Sequence, residues 1–327
     1  MKKQIIAAAV AASVSAIAMA DISITGDAKY EYLYTDKSSG ATKNQANTEM
    51  HINVTGKSGD TTVVLKTEID SHGADGAGLD IEDNYITTKV GDINVKAGNY
   101  ASATTGLLGE IDEGGRDTNK VTLDTTIGGV KVYTGATGGT NTGDGMVNLG
   151  GDTFQGVVLN LAGNTVEYKR NSQTVDSVGI KGEMNGVRYR LENKMDTAAN
   201  GDVVFGEIGT KVGDFDLSYA WIDSDKGNKV TETDSSIFAK EMGNLSGTTD
   251  DASKQVTVKT AMSGNNVTVK AGTISNAFAA NKDQDWTQII VSRPLASGAT
   301  ATLTYTDADT SSTADATTFE AELAVSF

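Results

Sequence analysis

From residue 21 onward one period dominates this chain: apolar and polar side chains alternate, run after run. The stretch 317–327 shows it most plainly. Phe319, Ala321, Leu323, Val325 and Phe327 fall on one phase, and Thr318, Glu320, Glu322, Ala324 and Ser326 on the other. A strand sends successive side chains to opposite faces, so this segment carries one apolar and one polar face. Its length is close to the roughly 9–11 residues that a tilted strand needs to cross a bilayer. A single amphipathic strand also suits a soluble protein; what constrains the fold is its recurrence.

The recurrence is regular. Ile22, Ile24, Gly26, Ala28, Tyr30, Tyr32 and Tyr34 alternate with Ser23, Thr25, Asp27, Lys29 and Glu31. Met50, Ile52 and Val54 alternate with Glu49, His51 and Asn53, and the Lys57–Asp60 turn feeds a further run. Short turns follow at Gly91-Asp92, Gly128-Gly129, Gly163-Asn164, Asn185-Gly186, Gly213-Asp214 and Ser263-Gly264-Asn265. Such turns between period-2 runs read as hairpins. The single proline, Pro294, lies in the connection 294–298, where a missing N–H costs the sheet nothing. Between hairpins lie longer polar loops at 35–46, 71–79, 100–118, 138–152, 224–254, 276–284 and 308–316. Short turns at one end and long loops at the other predict an all-β, transmembrane antiparallel barrel with short periplasmic turns. The segments support 16–18 strands, and an even number returns both ends to one side.

Composition and the N-terminus narrow the setting. Lys2-Lys3, an apolar run from Ile5 to Ala20 and the ending Ala18-Met19-Ala20 match a cleaved export signal, giving domains 1–20 (signal) and 21–327 (barrel). With Lys2 and Lys3 set aside, 25 of the 27 basic residues face 43 acidic ones, a balance of about −18. That argues against nucleic acid as a partner. The chain has no cysteine, which excludes disulfides and thiolate sites. His51 and His72 stand in no catalytic or metal motif, and neither a P-loop nor a Gly-x-Ser-x-Gly elbow occurs. No enzyme, cofactor or metal site is therefore expected.

Three pieces carry a family resemblance: the closing strand with Phe327, the opening strand Asp21–Tyr34, and Asp83-Asn84-Tyr85 leading through Gly91-Asp92 to Val95-Lys96-Ala97-Gly98. In these the chain resembles the general diffusion porins of Gram-negative outer membranes. The resemblance implies a trimer of 16-stranded barrels, lipid and lipopolysaccharide as surroundings, and insertion by the barrel assembly machinery through Phe327. It further implies that the stretch 100–119 folds into the channel as a constriction loop, which would place Glu110, Asp112, Glu113, Arg116 and Asp117 at the aperture.

The phase opposite the apolar one predicts a pore wall of Lys66, Lys96, Lys131, Lys169, Lys181, Arg188 and Arg190, with Lys259 and Lys270 beyond them. Cations on the wall facing carboxylates on the loop would set up a transverse field, a lever on ion selectivity. The plainer alternative is that these cations neutralise acidic neighbours such as Glu68 and Glu192. The outward belt should include Ile22, Ile52, Val95, Val132, Val187, Leu217, Val258 and Val325. The expected function is a passive, weakly cation-selective outer-membrane channel for small hydrophilic solutes. A surface adhesin or coat protein is the alternative.

Overall fold

The computed structural model of the chain describes residues 21–37, 42–71, 78–100, 119–138, 153–171, 175–196, 201–224, 252–275, 284–310 and 316–327. Residues 1–20, the expected export signal, lie outside them. Among the described residues every regular element is a strand. In order these are β1 (Asp21–Lys37), β2 (Lys43–Ser58), β3 (Thr61–Asp70), β4 (Gly78–Val90), β5 (Ile93–Asn99) and β6 (Asn119–Ile127). Next come β7 (Val130–Thr137), β8 (Thr153–Leu161), β9 (Asn164–Asn171), β10 (Val175–Met184), β11 (Val187–Asp196) and β12 (Gly201–Val212). The series closes with β13 (Phe215–Ser224), β14 (Ala252–Met262), β15 (Asn265–Ser275), β16 (Gln284–Pro294), β17 (Ala299–Thr310) and β18 (Ala316–Ser326). The count is 18, the upper end of the range read from the alternation and two more than the resemblance implies.

Each strand pairs antiparallel with its sequence neighbours, and β1 pairs with β18 from Asp27↔Ser326 to Lys37↔Ala316. The sheet thus closes on itself and presents no free edge. The seam continues one residue past β18. Gly26 N–H donates to the Phe327 carbonyl and Phe327 N–H to the Gly26 carbonyl, both at 2.9 Å. Gly26 is required there, because a Cβ would come 2.3 Å from the His51 carbonyl and 2.7 Å from the Phe327 ring.

The turns explain themselves chemically. Ala162-Gly163, Asn185-Gly186, Ser263-Gly264 and Gly128-Gly129 hold both residues at positive φ, the pattern of the tight hairpin turn that matches strand twist. The first of these sits one residue earlier than the Gly163-Asn164 read from sequence. A further difference lies in β4, which begins at Gly78. A β-bulge shifts the β3–β4 register between Lys66 and Thr67, so that Lys66 faces Asp83 while Thr67 faces Ile81. A bulge adds a residue and breaks the alternation that the eye follows.

Burial runs opposite to that of a soluble protein. Ile24 and Leu79 are each 62% exposed and Ile127 66%, whereas Lys169 and Gln288 are 1% exposed and Gln255 2%. The apolar phase covers the outside, where the eight belt residues named above lie exposed or half-exposed. Two aromatics near strand ends, Tyr100 and Trp286, are buried on the inner side. The inner wall also carries apolar patches, one of Val203, Phe205, Ala220 and Ile222, another of Tyr133, Phe154 and Val158.

Candidate functional site

The inner phase of the strands is the surface on which charge collects. On β10 and β11 it carries Lys181, Arg188, Arg190 and Glu192, in strict alternation with outward Val187, Tyr189 and Leu191. These cations do not stand alone. Arg188 donates to Asp216 from β13, and Arg190 donates to Glu192 on its own strand while its guanidinium lies 5.8 Å from the Phe205 ring. Glu192 is itself buried, so it depends on that guanidinium for charge compensation.

The other basic residues are held by different partners. Lys66 Nζ reaches Asp83 at 2.9 Å, a contact that the β4 bulge creates. Lys96 lies 4.1 Å from the Tyr85 ring centroid and 3.9 Å from that of Tyr100, a double cation–π contact. Those two rings meet edge to face at 5.7 Å. Gly98 permits the approach: it sits at φ 135, and a Cβ there would lie 2.6 Å from the Tyr85 Cα. Lys120 donates to the Tyr100 carbonyl at 2.8 Å, and the Tyr100 hydroxyl meets Thr122 Oγ1 at 2.6 Å. Lys131 stands 3.6 Å from Asp124, and Lys169 is packed into the wall beside Phe154. Lys181 is exposed on the inner side; Lys259 and Lys270 share that phase on β14 and β15.

Across the barrel the inner phase is acidic. β1 contributes Asp27 and Glu31, β2 Glu49, β3 Glu68, and β18 Glu320 and Glu322; Lys29 and His51 are interspersed. Lys29 Nζ bridges Glu49 at 3.0 Å and Glu31 at 3.5 Å. His51 Nδ1 lies 3.0 Å from Asp27 Oδ2, and its Nε2 lies 3.1 Å from Glu49 Oε1. With 18 strands in a closed ring, β1 and β2 stand nine strands away from β10 and β11 in either direction. The acidic wall is therefore diametrically opposed to the wall that carries the two arginines. The acidic wall is not evident strand by strand, because each of its strands contributes only one or two inner-phase carboxylates. The signal that could have found it is the run of inner-phase acids on four strands adjacent once the barrel closes. Glu110, Asp112, Glu113, Arg116 and Asp117 lie outside the described residues.

No protein-family model and no curated protein sequence matches this chain. Solved structures do. The crystal structure of Pseudomonas aeruginosa OpdO superposes with a TM-score of 0.69 at 9% identity, over 94% of this chain and 97% of that one. OpdL from the same organism gives 0.68 at 11% identity over 94% and 99%. OccK11 (OpdR), also from Pseudomonas aeruginosa, gives 0.67 at 12% identity over 94% and 96%. At such identities it is the architecture that is shared. The chain has the closed antiparallel barrel fold of outer-membrane porins.

Proposed function

We propose that the protein is a passive channel of a bacterial outer membrane, admitting small hydrophilic solutes and ions. One observation carries this reading: a closed barrel whose apolar side chains face out and whose charged side chains face in. In lipid the backbone hydrogen bonds of a spanning sheet must all be made internally, which closure provides. Barrels of this strand number are wide enough for an aqueous path, so transport needs no catalysis. The fold likeness favours a channel over an adhesin.

The surroundings follow from that reading. Residues 1–20 serve export and are removed, the outward belt contacts lipid and lipopolysaccharide, and Phe327 is presented to the barrel assembly machinery. Three barrels form a homotrimer, and the stretch 100–119 narrows each pore through Glu110, Asp112, Glu113, Arg116 and Asp117. Lys181, Arg188 and Arg190 line the side opposite the acidic wall, Lys96 and Lys131 the pore wall between the two, and Lys66 the edge of the acidic wall, with Lys169 packed into the wall on β9. A solute crossing the barrel passes between opposed charges, in a setting where they are screened less than on an open surface.

The test is conductance in a planar bilayer. Purified protein should insert with stepwise currents, in three equal steps for a trimer, and its reversal potential in a salt gradient should show weak cation preference. Replacing Glu49, Glu68 and Glu322 together by Gln should shift that potential toward anions. Arg188→Ala with Arg190→Ala should shift it the other way. Protein that is folded and inserted yet passes no current would reject the channel and favour adhesion.

A further inference from the structure

Most of the acidic wall is plain carboxylate, which hard cations visit weakly; one place on it differs because it holds an imidazole. Asp27, His51 and Glu68 face one another directly across three neighbouring strands, in the register Asp27↔His51 and His51↔Glu68. Glu49 stands two residues before His51 on β2, on the same inner phase. One ligand atom each from Glu49, His51 and Glu68 falls within a sphere where all lie within 4.8 Å of one another.

We propose that Glu49, His51 and Glu68 bind one divalent transition-metal ion, of the Zn²⁺ class, on the inner wall of the barrel, with Asp27 orienting the imidazole. The distances suit such an ion. Bonds of about 2.0–2.1 Å at tetrahedral angles put neighbouring ligand atoms about 3.3 Å apart. His51 Nε2 lies 3.1 Å from Glu49 Oε1 and 3.9 Å from Glu68 Oε2, values on either side of that edge.

The second ring nitrogen supplies the other half of the argument. With Asp27 Oδ2 3.0 Å from Nδ1 and accepting its proton, Nε2 is the nitrogen turned toward the two glutamates, and it binds the metal in exchange for its own proton. A carboxylate behind a histidine is how metal-ligating imidazoles have their tautomer and direction fixed. Lys29 occupies only the far side of Glu49, contacting Oε2 and leaving Oε1 to the site. All four groups sit on strands, which hold ligand positions more firmly than loops do. An imidazole among carboxylates favours Zn²⁺, Co²⁺, Ni²⁺ or Cu²⁺ over Mg²⁺ and Ca²⁺, which prefer all-oxygen surroundings. Water in the lumen would complete the coordination.

The competing account is a protonated His51 that merely offsets its acidic neighbours, and binding measurements separate the two. Full-length protein in detergent, titrated with Zn²⁺ against a chromophoric chelator, should take up one equivalent that excess Mg²⁺ does not displace. Co²⁺ in its place should give visible ligand-field absorption. His51→Gln should weaken Zn²⁺ binding at least ten-fold and abolish the Co²⁺ spectrum, and Asp27→Asn should weaken it roughly ten-fold through the lost orientation. Wild type and His51→Gln binding Zn²⁺ equally, or Mg²⁺ displacing it at equal concentration, would overturn the site. Should His51→Gln not fold, Glu68→Gln is judged by the same criterion, with heat-dependent gel mobility reporting the intact barrel. None of these readouts requires current, so the metal site and the channel can fail separately.

Discussion

The two charged walls of this barrel are built on opposite plans. On the β10–β13 side the cations are interleaved with acids, each arginine lying against a carboxylate: Arg188 against Asp216, Arg190 against buried Glu192. On the β18–β3 side seven inner-phase carboxylates crowd together, with Lys29, His51 and Lys66 among them. A paired wall is locally neutral and depends on every member. A crowded wall stores repulsion and gains when a charge is removed or a cation arrives. The same lumen thus has one side where substitution should damage the fold and another where it should chiefly alter what the lumen attracts.

The sharpest way to break this contrast is Arg190→Ala. It leaves Glu192 buried without its guanidinium and should cost about 3–5 kcal/mol, read as a lower urea midpoint in detergent. If Glu68→Gln cost as much, the distinction between the walls would vanish. Next in size is Leu191→Arg on the outward phase, expected to lose about 2–4 kcal/mol at mid-membrane. Val187→Arg should cost far less, about 0–1 kcal/mol, because Val187 directly follows the Asn185-Gly186 turn and so sits near the rim. Equal losses from these two would misplace the belt.

Smaller effects refine the picture. Lys96→Met removes the charge from the Tyr85–Tyr100 pair and should cost about 0.5–1 kcal/mol in the same assay. Glu68→Gln should have the smallest effect and the opposite sign, a gain of about 0.2–1 kcal/mol at low ionic strength that fades in high salt. A loss that persists in high salt would mean that Glu68 is held by something other than its like-charged neighbours.

Much of this architecture could be read from one strand at a time. Alternation sorts Leu191 from Arg190 and Phe319 from Glu320 with no knowledge of partners, and glycine-bearing turns mark the hairpin ends. What could not be read is whatever depends on register between strands. Asp27, His51 and Glu68 are separated by 24 and 17 positions in the chain, and only the pairing of β1, β2 and β3 sets them in a row. The β4 bulge is similar: Asp83 joins Lys66 because an extra residue shifts the phase, which no single-strand pattern announces. Tyr100 and Trp286 stand near strand ends, where the outward girdle and an inward plug look alike in sequence.

Every other pairing joins strands that follow one another, but β1 meets β18 across roughly 280–300 positions of chain, a closure whose entropy no shorter contact can share. Until Phe327 reaches Gly26, seventeen hairpin-linked pairings form only a ribbon with two raw borders, each able to seize a neighbour. Maturation should therefore be all-or-nothing at that junction. A bulky residue in place of Gly26 would be felt as barrels that never finish assembling, long before any change in how finished ones behave.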